Sequence, residues 1–207
     1  MNKEDIFKDI IYWAGRTYKA DMVPATSGNI SRFEDNIIYM SKSGVCLGDM
    51  GYEDIAELDI NNNVLNGIKP SSERLMHIEI YKKRADIRAI IHIHCPYATA
   101  FAVCHKNMNK PILPEFIYNF GNIPSAKYAL PSSYELANEI AEYFIKGHNA
   151  VLMENHGLVV GAGSLKEAFY HCESIQAYAK TYFASKLLGK IHTLNKDEVK
   201  KIQNLKG

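Results

Sequence analysis

The sequence lacks the segments that mark export or membrane insertion. No apolar run in it approaches the ~20 residues needed to cross a bilayer. Residues 1–9 mix Lys, Glu and Asp and contain no apolar stretch of the kind found in a signal peptide. We therefore expect no membrane partner, and the cytoplasm is the expected location.

Cysteines are few and follow no paired pattern. Cys46, Cys95, Cys104 and Cys172 form no CxxC pair and no closely spaced framework, which is typical of reduced thiols in a chain without an export signal. A chain of 207 residues can bury a core without disulfide bonds, so we expect one domain over residues 1–207.

The sequence also lacks an excess of charge of one sign. Lys and Arg number 24 against 23 acidic residues, and no basic stripe with interleaved aromatics points to nucleic acid. Neither a GxxxxGK[ST] loop nor a GxGxxG turn after a strand is present, which disfavours ATP and NAD. The one concentrated charge run, at 196–206, predicts a solvated terminal helix.

What the sequence does contain is a mixture of helical and strand-like periodicities. Apolar spacing and turn residues predict helices at 4–20, 71–84, 96–103, 132–146 and 165–188. They predict strands at 30–33, 36–41, 55–60, 89–94, 150–153 and 158–160. The first two strands form a hairpin that turns at Glu34-Asp35. This order favours the α/β class, with helices packed on a mainly antiparallel sheet.

Two histidines, His92 and His94, share the predicted strand at 89–94. Because side chains alternate along a strand, both imidazoles leave one face while Ile93 enters the other. Two neutral imidazoles on one face form half of a site for zinc or a similar ion. The alternative is that one histidine is a satisfied core residue and the other is exposed.

A third histidine, His156, stands in the polar stretch Glu154-Asn155-His156-Gly157 between two apolar strands. Gly157 would let the backbone turn tightly there. A third imidazole at a strand end would complete a catalytic site with three protein ligands and one open position. A turn residue without a ligand role is the alternative, and the pattern leaves both open.

Three hydroxyl-rich segments are candidates for anion binding. Pro70-Ser71-Ser72-Glu73 places two hydroxyls and their N–H groups at a predicted helix start, where the helix dipole favours an anion. Glu73 in that turn could equally be a capping acid. Thr26-Ser27-Gly28-Asn29 and Ser41-Lys42-Ser43-Gly44 could add backbone amides around a glycine. Each is weak alone, because Gly and Ser are ordinary turn residues.

Taken together and in this order, TSGNIS, SKSG, PSSE, HIH and ENHG resemble the class II aldolase/adducin family, especially its L-fuculose-1-phosphate aldolases and ribulose-5-phosphate 4-epimerases. The similarity extends from the first helix to the long helix that ends near Leu188. The resemblance implies a three-layer α/β/α sandwich with a central, mainly antiparallel sheet. It also implies a cyclic homotetramer with sites between adjacent subunits.

The resemblance further implies one divalent metal per subunit, held by His92, His94 and His156. Zn²⁺ is expected, although Mn²⁺, Fe²⁺ and Co²⁺ accept such ligands. Glu73 matches the glutamate that ligates the resting metal and acts as the acid/base. The positions that match those holding the substrate phosphate are Gly28, Asn29, Ser43, Gly44, Ser71 and Ser72.

The activity implied is cleavage of a short (deoxy)ketose 1-phosphate, such as L-fuculose 1-phosphate, to dihydroxyacetone phosphate and a small aldehyde. The reaction would run through a metal-stabilised enediolate, with Glu73 moving the proton. The alternatives in the family are a pentulose-phosphate 4-epimerase, a 3-oxo-acid-phosphate decarboxylase and a methylthioribulose-phosphate dehydratase. A non-catalytic, adducin-like scaffold is the alternative from another class.

Two departures from the aldolases concern proton transfer to the aldehyde. Glu115 falls at or beside the position of their tyrosine proton donor, and Tyr118 lies three residues further on. We expect both to take part in catalysis; the alternative for Glu115 is an exposed loop acid. The tail at 191–207 contains no Tyr, whereas the aldolases carry one over the site.

Overall fold

A computed structural model describes residues 2–206 of the chain. Its α-helices, numbered α1 to α7, are Lys3–Lys19, Arg74–Lys83, Pro96–Val103, Pro114–Asn119, Tyr134–Ile145, Leu165–Leu188 and Lys196–Gln203. Its strands, numbered β1 to β7, are Asn29–Glu34, Ile37–Ser41, Ile55–Asp59, Ala89–Ile93, Ser125–Ala126, Ala150–Met153 and Gly157–Ala162. The predicted elements are all present, whereas α4 and the two-residue β5 were not predicted.

The seven strands form one sheet in the order β3-β2-β1-β4-β7-β6-β5. Every neighbouring pair is antiparallel except β5 with β6. The hairpin of β1 and β2 turns at Asp35 and Asn36, whose φ angles are 49° and 63°. A tight hairpin turn favours positive φ at both central residues, and Asp and Asn tolerate it. The predicted turn at Glu34-Asp35 was therefore wrong by one residue.

Apolar cores on both faces of the sheet confirm the three-layer α/β/α sandwich. On one face α1, α3 and α6 pack against side chains that include Ile91 and Ile93 of β4. On the other face α2 and α5 pack against each other and against Ile90 of the same strand. Within residues 2–206, no helix is both long enough and apolar enough to cross a membrane.

Two helices begin later than the sequence predicted. Helix α2 begins at Arg74 because the chain remains extended through Ser71: Lys42 bridges to Pro70, and the Ser71 amide donates to the Ser41 carbonyl. Residues 72 and 73 then form a turn, in which the Arg74 amide donates to the Ser71 carbonyl at 3.2 Å. Helix α5 begins at Tyr134, and its cap is Ser133, whose Oγ accepts from the Leu136 amide at 3.1 Å. Ser71 and Ser72 therefore precede a helix instead of forming its first turn.

The terminal charge run is helical and solvated, as predicted. Helix α7 has no buried residue and opens with a capping box formed by Asn195 and Glu198. The four cysteines are free thiols, and two of them, Cys95 and Cys172, are buried.

Candidate metal centre and its cavity

The three histidines converge at one edge of the sheet. His92 is on β4, His94 follows its end, and His156 lies in the turn between β6 and β7. The pairing of β4 with β7 places His92 opposite Val159, which brings the turn alongside the strand end. Their ring centroids are 4.7, 4.9 and 5.1 Å apart, and one nitrogen of each lies within 4.8 Å of the others. Ile93 enters the opposite core, as the alternation along the strand predicted.

The hydrogen bond of His92 orients its ring for metal binding. Its Nδ1 lies 3.1 Å from the Leu158 carbonyl oxygen, so Nδ1–H donates and the Nε2 lone pair faces the other rings. That Nε2 is 2.8 Å from Nε2 of His94. In protein metal sites, the ring nitrogen of a histidine that does not bind the metal usually donates its N–H to a carboxylate, a backbone carbonyl or water.

Burial keeps all three imidazoles neutral. It lowers the pKa of His92 well below its ordinary value, and the neighbouring rings of His94 and His156 lower it further. Burial and the nearby His156 lower the pKa of His94 to about 4, and burial lowers the pKa of His156. Because a metal binds the deprotonated imidazole, these rings need not lose a proton to bind one at neutral pH.

Gly157 makes room for the cluster. A Cβ built on it would lie 2.5 Å from the Ile93 carbonyl oxygen and 3.0 Å from Cδ2 of His94. The left-handed residue of the turn is Asn155, with φ of 53°, so the predicted turning role of Gly157 was wrong. The glycine is needed for close approach, not for its backbone conformation.

Glu73 lines the same cavity as the three rings. Its side chain is 7% exposed and makes no capping hydrogen bond to α2. Oε1 accepts from the Ser132 hydroxyl at 3.0 Å, whereas Oε2 is buried without a hydrogen-bond partner. Burial raises the pKa of Glu73, and the hydrogen bond from the Ser132 hydroxyl lowers it in part. The carboxyl is therefore held in a setting suited to proton exchange.

The three hydroxyl-rich segments meet the histidines in one cavity of about 190 Å³. All six residues predicted to hold a phosphate line it, together with Thr26, Ser27 and Lys42. Gly28 has φ of 76°, and a Cβ there would lie 2.8 Å from the His92 carbonyl oxygen, so the first loop lies directly on β4. The predicted anion-binding residues and the candidate metal ligands thus form one site.

Two backbone amides of the hydroxyl-rich segments, which the sequence suggested for anion binding, are occupied by other hydrogen bonds. The Ser43 amide donates to the Lys69 carbonyl and the Ser71 amide to the Ser41 carbonyl, each at 3.0 Å. These two amides are used within the chain, so both residues offer an anion their hydroxyls.

Sequence reasoning missed two side chains that bear on this cavity: Lys42, which lines it, and Ser132, which contacts Glu73. Lys42 brings a positive charge to it and pairs with Asp54. Ser132 contacts Glu73 from 59 residues away. Lys42 lay within the quoted SKSG motif, and its charge was the signal available. No local pattern announces the Ser132 contact.

Glu115 and Tyr118 lie on the exposed side of α4. Neither is among the residues of this chain that line the cavity. The structure of one chain therefore does not bring them to the histidines, and their catalytic roles stay predictions.

The residues present fit a divalent metal. Each of the three neutral imidazoles places one nitrogen within 4.8 Å of the other two, so all three can bind the same ion. The carboxylate of Glu73 lines the same cavity. Two buried polar atoms here, Oε2 of Glu73 and Nδ1 of His156, have no partner among the described residues. Leaving such an atom unpaired is costly, and a cation or substrate bound in the cavity would give Oε2 of Glu73 a partner.

Comparison with known proteins places this arrangement in context. Residues 8–183 match the family profile described as the class II aldolase and adducin N-terminal domain. A 3-oxo-tetronate 4-phosphate decarboxylase of Haemophilus influenzae is 33% identical, over 95% of this chain and 96% of that protein. A 5-deoxy-D-ribulose 1-phosphate aldolase of Bacillus thuringiensis serovar kurstaki is 33% identical, over 94% and 92%.

A solved structure of an L-fuculose 1-phosphate aldolase superimposes with a TM-score of 0.91. It is 31% identical, and the match covers 99% of this chain and 97% of that one. Two of these three similar proteins are named as aldolases and one as a decarboxylase. Each name includes a phosphorylated substrate.

Proposed function

Because this chain belongs to the class II aldolase and adducin family, we propose that it is a metal-dependent aldolase. Its substrate would be a short (deoxy)ketose 1-phosphate, cleaved to dihydroxyacetone phosphate and a small aldehyde. One observation carries the proposal: a buried carboxyl with one unpartnered oxygen shares a cavity with three neutral histidines and a hydroxyl-lined recess.

In this proposal His92, His94 and His156 hold one divalent ion, with Zn²⁺ favoured by three imidazole nitrogens. Such an ion supplies Lewis acidity toward the negative charge that develops on substrate oxygen. Glu73 takes the proton from the reacting carbon or hydroxyl and returns it. Burial raises its pKa, which makes the carboxylate a stronger base.

The loop side of the cavity would hold the phosphate. Hydroxyls of Ser43, Ser71 and Ser72 can donate to phosphate oxygens, and Lys42 offsets part of the negative charge. The glycines at 28 and 44 adopt positive φ, and Gly28 also lies directly on β4. A recess of about 190 Å³ suits a short sugar phosphate better than a nucleotide.

A second candidate is decarboxylation of a 3-oxo-acid phosphate. It is favoured by the similarity to the Haemophilus influenzae decarboxylase over 95% of this chain. Both reactions break the bond between the α carbon of a ketone and the carbon beyond it, and leave an electron pair on the phosphorylated fragment as an enolate. The same residues would serve both, and they differ in whether an aldehyde or CO₂ departs.

We further propose a homotetramer whose sites lie between subunits, located in the cytoplasm. The exposed position of Glu115 and Tyr118 on α4 supports this, because a neighbouring chain could receive them at its own cavity. Sedimentation of the purified protein tests the assembly. A monomer at micromolar concentration would remove the basis for assigning either residue a catalytic role.

The test of the function is a product assay on metal-loaded protein. With dihydroxyacetone phosphate plus lactaldehyde or acetaldehyde, we expect a condensation product visible by proton NMR. Glu73→Gln should lower turnover roughly 10²- to 10⁴-fold. Glu79→Gln, on the same helix and paired with Lys82, is the matched control and should keep full activity.

Release of CO₂ from a 3-oxo-tetronate phosphate without aldehyde chemistry would select the second candidate. Protein that binds no metal after repletion and transforms none of these compounds would contradict both candidates and favour the scaffold. Metal content is measured on the same samples.

A further inference from the structure

Ser132 adopts a backbone conformation that costs free energy. Its φ is 67°, in the left-handed region that Gly and Asn favour and that Ser seldom adopts. Non-glycine residues persist there when surrounding contacts over-determine them, often at functional sites. Capping of α5 does not require this residue, because Ser133 is the cap. Ser132 is the third residue of a turn closed by the Ser133 amide and the Leu130 carbonyl at 3.2 Å, a position that favours Gly or Asn, so the serine side chain there calls for an explanation of its own.

The contact that fits is with Glu73. The Ser132 hydroxyl donates to Oε1 at 3.0 Å, across 59 residues of sequence. The contact joins the start of α2 to the turn before α5, two helices that pack directly on each other. The acceptor side chain is 7% exposed, so water competes little for this oxygen.

The two carboxyl oxygens of Glu73 are thereby made unequal. Oε1 is engaged by Ser132, and Oε2 is buried with no partner. A glutamate without such a bond retains rotation about its terminal torsion, which is broad and roughly two-fold. A fixed donor on one oxygen stops that rotation and leaves the other oxygen for substrate.

We propose that Ser132 is a positioning residue: its hydroxyl holds Oε1 of Glu73 so that Oε2 is the oxygen that exchanges the proton with substrate. This rests on the proposed role of Glu73 as acid/base. In the step, a substrate C–H or O–H bond breaks, the proton goes to Oε2, and the electron pair stays on the substrate. Ser132 loses no proton and contacts no reacting atom.

The decisive variant is Ser132→Gly, because glycine relieves the backbone strain while removing the hydroxyl. We expect a melting temperature equal to or above that of the wild type, and a kcat about tenfold lower, because a hydrogen bond to a charged group is lost. KM should change less than twofold, since the contacts to the phosphate are intact. A purely structural role predicts unchanged or improved kcat for this variant, and that result would overturn the proposal.

Two further variants complete the series. Ser132→Asn tolerates positive φ and keeps a donor, so it should recover part of the lost kcat. Ser133→Ala, the matched control, should lower the melting temperature through loss of the cap and leave kcat unchanged. A fall in kcat for Ser133→Ala equal to that for Ser132→Gly would also contradict the assignment.

Crystal structures give a readout that needs no turnover. The Glu73 carboxyl should occupy one orientation in the wild type and in Ser133→Ala, and more than one in Ser132→Gly. An unchanged carboxyl in Ser132→Gly would refute the positioning role. If wild-type protein with bound metal transforms no sugar phosphate, the proposed function fails. The crystal structures would then still show whether Ser132 fixes the orientation of the Glu73 carboxyl.

Discussion

The two ends of the cavity are built in different ways. The histidine end, formed by His92, His94 and His156, is fixed by the sheet: strand pairing and a short turn set the positions of the rings. The loop end, formed by residues 26–29, 42–44 and 71–72, is fixed by crossing backbone hydrogen bonds and by glycines in unusual conformations. One end is a tight cluster of one buried and two half-buried rings, and the other is a set of hydroxyls from three loops.

This difference predicts different responses to mutation. At the histidine end each ring is close to the other two, and all three are needed to hold one metal ion. The loss of one ring should therefore impair metal binding by the other two. At the loop end several hydroxyls and one lysine share the same task, and the removal of one leaves the others in place.

The largest effect is expected for His94→Ala. It removes one of three ligands, so metal content should fall from one equivalent to a small fraction. Turnover should fall about 10³-fold or more, because several kcal/mol of Lewis-acid stabilisation are lost. Elemental analysis and NMR product assays measure the two quantities. His192→Ala, in the exposed tail, is the control, and equal losses in both variants would sink the assignment.

A smaller loss is expected for Gly157→Ala, which leaves every ligand in place. Its Cβ would press on the Ile93 carbonyl and the His94 ring, and overpacking of this kind costs about 1–3 kcal/mol. Metal affinity should weaken by roughly one to two orders of magnitude, as it does when the surroundings of a ligand are disturbed. Competition with a chelator measures it.

The matched control is Gly15→Ala, because a Cβ at Gly15 meets nothing within 4 Å and the residue lies inside helix α1. That variant should be as stable as the wild type or slightly more so. If Gly157→Ala binds metal as tightly as Gly15→Ala, the histidine end is less constrained than we infer.

The smallest effect is expected at the loop end, for Lys42→Met. Loss of one partly exposed cation should raise KM about 3- to 10-fold with little change in kcat, because the hydroxyls remain. Lys82→Met, which breaks an ion pair away from the cavity, is the control. Steady-state kinetics at two salt concentrations measure both. A fall in kcat without a rise in KM would show that Lys42 serves the reacting atoms instead.

The sequence was sufficient for the elements with strong periodicity. The alternation along β4 predicted that His92 and Ile93 face opposite sides, and the structure confirms it. The family motifs predicted which loops share a cavity, and residues 26–29, 42–44 and 71–73 all line it. These successes rest on patterns of period two or on short segments whose order was recognisable.

The misses concern relations that no local pattern encodes. Helix α2 begins at Arg74, three residues later than predicted, because Pro70 and Ser71 pair with the segment at 41–42. This tertiary pairing outweighs the local helix propensity. The contact of Ser132 with Glu73 joins two segments far apart in sequence. The role of Gly157 depends on atoms of β4 that come close only after folding.

The turn between β6 and β7 has a consequence for evolution and for engineering. Only three residues separate the paired Met153 and Gly157, so an inserted or deleted residue would carry His156 away from its partners. A one-residue slip of β4 would likewise send His92 into the opposite layer. Descendants of this chain can therefore exchange many side chains near the site, but they inherit the lengths of these segments unchanged.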